Sequence, residues 1–258
     1  MKTVLITGAT SGIGLELAKI FATDNVNLLL VARNEQKLSE IKQEFEQRYK
    51  IKVDFLSLDL SILENIKKID NYVNDSNLQI DFLVNNAGFG DFGIFTERSF
   101  EKYNEMILLN INALTELTYI FAKKMAAKNS GKILNVASIA GLQPMPNMAV
   151  YGATKAFVLS FSQALNYELR KTNVSVTALL PGPTATNFFY RAEGEKARMT
   201  DIIMSAEKVA KIGYKAMLKG KRKVTAGFIN NILGISVKIL PVSNFLLNVV
   251  EKITEDKS

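Results

Sequence analysis

Three observations predict an α/β fold built on a parallel sheet with helices on both faces. Short apolar or β-branched runs alternate with longer helical segments along the whole chain. The runs lack the polar alternation of half-exposed strands, as strands buried on both faces do. The glycine-rich and polar motifs each fall just after one of these runs, at the strand ends where open parallel sheets bind ligands. Candidate strands are Thr3–Thr7, Asn27–Ala32, 51–57, 81–84, 131–137 and Val174–Leu180, with a short last one at 223–226.

Helical periodicity marks Gly12–Thr23, 34–49, 61–75, a long segment at 99–128 and another at 150–171, with Ser61 and Ser99 as cap-type starts. At 258 residues, nearly half of them apolar, the chain is long enough for one large domain with a substantial core. The sequence has no Cys and no His. Disulfides, thiolate metal sites, cysteine nucleophiles, Ser-His-Asp hydrolysis and histidine bases are therefore excluded, and no metal site is expected. Any proton transfer falls to Tyr, Lys or carboxylates. Met1 and Lys2 lead straight into an apolar strand, without the long apolar stretch and cleavage site of a signal peptide, so a cytoplasmic location is expected.

Gly8, Gly12 and Gly14 lie between the first strand and the first helix, in Thr7-Gly8-Ala9-Thr10-Ser11-Gly12-Ile13-Gly14. Glycine lets the backbone turn tightly and approach a pyrophosphate, whose charge is favoured at a helix N-terminus. The spacing matches the commoner G-x-G-x-x-G only loosely. The second strand ends in Ala32 and Arg33 rather than an acid. A small residue followed by a guanidinium leaves room for a ribose 2′-phosphate and offers it a charged fork, so a phosphorylated dinucleotide is preferred over the plain one, which stays possible. The alternative is a merely solvated Arg33. Asp59, after the third strand, is a candidate contact for an adenine edge, and Asn85-Asn86-Ala87-Gly88 follows the fourth with small residues that let the chain pass close to a ligand.

Tyr-x-x-x-Lys occurs three times, at Tyr119/Lys123, Tyr151/Lys155 and Tyr167/Lys171. On a helix this spacing is usually a solvated face. Only the middle copy follows a strand that ends in a hydroxyl, Ser138, and lies downstream of the glycine-rich turn.

With these residues assembled, the chain closely resembles the short-chain dehydrogenase/reductase family, in its shorter group. The matching motifs span nearly three-quarters of the chain: the Thr7–Gly14 turn, Asp59, Asn85 to Gly88, Asn110, Ser138, Tyr151-x-x-x-Lys155 and Pro181-Gly182-Pro183-Thr184-Ala185-Thr186. The resemblance implies a Rossmann-type, doubly wound, three-layer α/β/α domain, with seven strands in the order 3-2-1-4-5-6-7. It implies NADP(H), with NAD(H) possible, at Gly8, Thr10, Ser11, Gly12, Ile13, Gly14, Arg33, Asp59, Leu60, Asn86, Ala87, Gly88, Tyr151, Lys155, Pro181, Gly182, Thr184 and Thr186. Tyr151 would be the general acid/base, Lys155 its activator, Ser138 the donor to the carbonyl oxygen and Asn110 the end of a proton relay. Asn112 is close enough to raise a question of register, though Ala113-Leu114 suits Asn110 better. The family also implies a homodimer or homotetramer joined through the long helices. A free phenol, with pKa ~10, exchanges protons poorly at neutral pH, and a cation one helical turn away is expected to lower it.

Phe89, Phe92, Phe95, Leu142, Met145, Met148, Phe188, Phe189 and Tyr190 flank the expected pocket and suit a bulky apolar carbonyl compound or secondary alcohol; several could equally belong to the core or a subunit contact. Residues 187–220 are read as a substrate lid followed by a helix, and 228–258 as a basic and apolar C-terminal extension of the single domain. The net charge of +7 is concentrated at 191–258, with thirteen Lys/Arg against seven Asp/Glu. Lys208, Lys211, Lys215 and Lys219 share one helical face. The extension is expected to fold over the pocket or a neighbouring subunit, with peripheral membrane contact as the alternative. A dinucleotide-sensing binding protein on the same fold is the competing reading of the whole, disfavoured by the Ser138, Tyr151 and Lys155 set. A nucleic-acid partner is not expected, because no aromatic-interleaved basic motif or zinc module accompanies the lysines.

Overall fold

A computed structural model describes residues 1–185 and 203–227, together with Leu247. The chain enters through β1 (Thr3–Thr7), α1 (Gly12–Thr23), β2 (Asn27–Ala32), α2 (Glu35–Tyr49), β3 (Val53–Ser57), α3 (Glu64–Asp75) and β4 (Phe82–Asn85). It continues through α4 (Phe100–Ile107), a π-helical turn (Leu108–Ala113), α5 (Leu114–Ala127), β5 (Gly131–Val136), α6 (Ala149–Glu168) and β6 (Val174–Leu180). The two-residue strands β7 (Thr184–Ala185) and β8 (Met204–Ser205), then α7 (Ala206–Leu218) and β9 (Lys223–Thr225), complete the described residues.

Seven strands form one sheet in the order β3-β2-β1-β4-β5-β6-β9, and every neighbouring pair is parallel. This is the expected doubly wound order; the last strand is β9 only because β7 and β8 pair separately in between. β1 and β4 are buried along their whole length, which explains why their sequences carry no polar alternation. One apolar layer joins the sheet to α1, α2 and α7 through Leu17, Phe21, Leu38, Phe45, Val209 and Met217. The other face packs α3 and α5 through Ile66, Ile69, Leu117 and Phe121, and α6 through Val158 and Leu159. The helix within the expected lid-and-helix segment is part of this core: the Tyr214 ring meets Phe21 edge-on at 4.9 Å, and its hydroxyl donates to Asp24 at the end of α1.

The helix expected across 99–128 is interrupted. Ser99 caps α4 as expected, accepting from the Lys102 N–H, but a π turn separates α4 from α5. The extra residue turns Asn110 inward, where its side chain is bound on both sides. Ser61 does not cap α3, which starts at Glu64; its hydroxyl and amide both donate to Asp59 Oδ1, at 2.7 and 2.9 Å. A carboxylate two residues back outcompetes the free amides of the next turn.

Candidate active site

The strand order reverses between β1 and β4, so the turns after these two parallel strands lie side by side at the crevice where such sheets bind nucleotides. The two turns are stitched together. The backbone amides of Asn86 and Ala87 both donate to Thr7 Oγ1 at 3.0 Å, and Asn86 Nδ2 donates to the carbonyls of Thr7 and Gly8 at 3.0 and 3.1 Å. Gly8 has φ +65° and Gly12 φ +54°, a backbone that side chains rarely adopt. Gly14 is required for another reason: a Cβ there would lie 2.3 Å from the Gly8 carbonyl oxygen and 2.5 Å from Asn86 Nδ2.

The N-terminus of α1 fits an anionic ligand. Ser11 stands at its N-cap with no side-chain cap bond, and the first turn holds no acid, so no side chain of that turn competes for the amides that follow. Thr10 and Ser11 immediately precede α1, while Ile13 in its first turn packs partly against the core. Arg33, just past the end of β2, keeps 57% of its side chain exposed, with its guanidinium 3.4 Å from Asp59 and 3.8 Å from Glu105. Burial alone would raise the Asp59 carboxyl, but the bonds from Ser61 and the Arg33 charge outweigh it and hold it below the usual carboxylate range. Leu60, another expected cofactor contact, is buried in one apolar layer with Ile66 and Ile69 of α3.

Ser138, Tyr151 and Lys155 converge at the ends of β5 and β6. Ser138 Oγ accepts from the Ala140 N–H at 3.1 Å, lies 3.5 Å from the Pro181 carbonyl oxygen and hydrogen-bonds the Tyr151 phenol. Lys155, on the buried face of α6 and only 5% exposed, donates to the Val136 carbonyl at 3.0 Å and lies 5.7 Å from the centre of the Tyr151 ring. Burial pulls its pKa down to about 8. Tyr151 departs from the sequence expectation of a lowered phenol: burial pushes its pKa up to about 12, outweighing the Ser138 hydrogen bond that lowers it.

Asn110 is 1% exposed and turned into the site, whereas Asn112 is exposed. Its amide accepts from the Phe89 N–H at 3.2 Å and donates to the Phe89 carbonyl at 2.9 Å and to Thr154 Oγ1 at 3.1 Å. Every polar atom of this side chain is thus engaged in holding the backbone after β4 to α6. Gly88 runs between the two buried groups: a Cβ there would lie 2.8 Å from Asn110 Oδ1 and 3.4 Å from Lys155 Nζ. Thr154 is a residue the sequence reading missed. Its hydroxyl donates to the Tyr151 carbonyl at 2.8 Å while accepting from Asn110, and its one signal was its place inside Tyr151-x-x-x-Lys155.

Gly182 accepts from Thr184 Oγ1 at 2.8 Å, which orders the turn after Pro181 beside Ser138. Thr186, Phe188, Phe189, Tyr190, most of the expected lid and the extension at 228–258 lie outside the described residues, Leu247 apart. Phe92, Met148 and Tyr151 share one apolar cluster, with Phe89 and Met145 packed on it. Phe95 instead stacks on Tyr103 at 5.1 Å, and Leu142 packs with Ala137 and Leu180. Among the described residues, no group of acids could hold a metal, and no helix is long and apolar enough to cross a membrane.

The short chain dehydrogenase family model matches residues 2–196. An uncharacterized oxidoreductase of Staphylococcus epidermidis is 34% identical over 211 residues, covering 80% of this chain and 90% of that one. A 7beta-hydroxysteroid dehydrogenase of Mediterraneibacter gnavus is 32% identical over 182 residues, covering 70% of this chain and 68% of that one. Among solved structures, a short-chain dehydrogenase from Sphingobium yanoikuyae in complex with NADPH aligns with a TM-score of 0.84 and 29% identity, over 95% of this chain and 100% of that one. A bulky-bulky ketone specific alcohol dehydrogenase from Comamonas testosteroni aligns with a TM-score of 0.80 and 28% identity, over 95% and 96% of the two chains. The chain belongs to the short chain dehydrogenase family of oxidoreductases.

Proposed function

We propose that this enzyme is an NADP(H)-dependent oxidoreductase that interconverts a carbonyl group and a secondary alcohol on a bulky apolar substrate, with Tyr151 as its general acid/base. The observation that carries the reading is the convergence of Ser138, Tyr151 and Lys155 beside the stitched turns of β1 and β4. Bound nicotinamide would supply or accept the hydride. The α1 N-terminus would take the pyrophosphate and Arg33 a 2′-phosphate, with Asp59 and Glu105 holding the guanidinium only loosely from an exposed position. The NADPH complex of the Sphingobium yanoikuyae enzyme supports that cofactor.

In the reductive direction Ser138 would donate a hydrogen bond to the substrate oxygen, where negative charge develops, and the Tyr151 phenol would give that oxygen its proton. A phenol held near pKa 12 carries its proton at neutral pH, and easing the loss of that proton falls to the neighbouring cation. Lys155, charged below about 8, would stabilise the phenolate left behind. The same burial makes the phenolate costly to form in the nucleotide-free protein. The apolar wall of Phe92, Met145 and Met148 suits a bulky ketone, in keeping with the substrate named for the Comamonas testosteroni relative.

Tyr151→Phe is the test. The variant is expected to lose about 100-fold or more in kcat with NADPH and a panel of bulky ketones while still binding NADPH, because it lacks only the transferable proton. Turnover above a few per cent of the parent would remove Tyr151 from the role.

A further inference from the structure

The segment at 89–98, between β4 and α4, has the length of a loop but is tied down along its course. Asn110 holds both backbone groups of Phe89, the Gly93 N–H donates to the Asn147 carbonyl at 2.9 Å, and Tyr103 stacks on Phe95 while its hydroxyl donates to the Phe95 carbonyl at 3.3 Å. In the middle stands Asp91, whose side chain is 0% exposed. Its carboxylate accepts the Arg98 fork, from Nε at 2.9 Å and Nη2 at 2.7 Å, and Lys102 Nζ at 2.5 Å.

Burying a carboxylate costs free energy unless paired charges offset it, and breaking such a set strands the cations left behind. Burial alone would raise the Asp91 carboxyl, yet the two cations outweigh it and hold it below the usual carboxylate range. The backbone is shaped to admit this pairing. Gly93 sits at φ +135°, and a Cβ there would lie 2.8 Å from Arg98 Cδ.

The next residue along is Phe92, 6% exposed, in one cluster with Tyr103, Met106, Ala140, Met148 and Tyr151. The ion cluster and the aromatic wall around the phenol therefore share a single turn of chain. We propose that Asp91 is a positioning residue: by clamping its loop to Arg98 and Lys102 it holds Phe92 against Tyr151, keeps water from the phenol and sets the width of the apolar pocket. The catalytic consequence rests on the role given to Tyr151 above; the positioning itself does not.

The test has two arms. The nucleotide-free protein is treated with tetranitromethane, and nitration of each tyrosine is followed by peptide mass spectrometry. Exposed Tyr119 and Tyr167 react first in every variant. In Asp91→Asn, nitration of Tyr151 and Tyr103 is expected to accelerate about fivefold or more through local opening of the loop, with Tyr214, buried between α1 and α7, unchanged as internal control. Lys102→Gln and Arg98→Lys, each leaving one cation pair intact, are expected to show a smaller acceleration at the same two tyrosines and serve if Asp91→Asn does not fold. Unchanged Tyr151 nitration, or equal acceleration at Tyr214, overturns the proposal.

In the kinetic arm, the preference for bulky over small ketones, as a ratio of kcat/KM, is expected to fall about tenfold in Asp91→Asn while the NADPH dissociation constant holds. A loss equal for both ketone sizes overturns the specificity role. The two ideas fail separately: full turnover in Tyr151→Phe sinks the acid assignment and leaves the nitration result standing.

Discussion

Lys155 carries a cost that pH can reveal. Its ammonium is 5% exposed with one carbonyl partner, Val136, and burial lowers its pKa from 10.5 to about 8. Held charged at pH 7, it destabilises the nucleotide-free protein by about 3 kcal/mol relative to a lysine in water. Because the native pKa is depressed, the unfolded chain binds more protons between about pH 8 and 10.5, so stability rises with pH across that window. Lys155→Met keeps the length and apolar stem and removes the charge. Urea unfolding of both proteins at about pH 7 and about pH 10 isolates the effect, since other titrating groups are common to both. The parent is expected to gain about 2 kcal/mol on the variant between the two conditions, or roughly 4–8 °C in Tm. A stability difference that stays constant to about 0.5 kcal/mol would refute the buried charge.

Other outcomes follow from the same geometry. Arg33→Ala is expected to raise KM for NADPH about tenfold or more, with KM for NADH nearly unchanged, because only the former carries the phosphate; steady-state kinetics with each cofactor decide it, and equal effects reject the assignment. Gly14→Ala forces a Cβ against the Gly8 carbonyl and is expected to cost about 2–3 kcal/mol and to abolish nucleotide binding, read by thermal unfolding with and without NADPH. Asn110→Ala leaves both backbone groups of Phe89 without their side-chain partner, removes the donor to Thr154 Oγ1, and is expected to cost about 2 kcal/mol, measured by denaturant unfolding.

Much of the fold was readable because it depends on short-range pattern. β1, β2 and β6 begin and end where their apolar runs do, and the motifs at their carboxyl ends come together because a parallel sheet brings those ends to one edge. What escaped the reading depends on contacts distant in sequence. The periodicity of 99–128 does not register one extra residue in a turn, and the bonds that hold it come from Phe89 and Thr154. Asp91 drew no reading from the sequence, since nothing local foretells that Arg98 and Lys102 fold back over it. The direction of the Tyr151 shift was misjudged for a related reason: spacing reveals the nearby cation, while desolvation depends on Phe92, Met106 and Met148 closing around the ring.

The π turn at Leu108–Ala113 has a consequence for how this chain tolerates change. Deleting a single residue from it would yield a smoother, better hydrogen-bonded rod, yet each side chain on one flank would swing by roughly 100°. Asn110 would then leave its socket, Phe89 would lose its tether and the floor under the lysine would slacken. Natural length variants should therefore accumulate in the connections at the amino ends of the strands, while this stretch keeps its residue count even where its side chains drift.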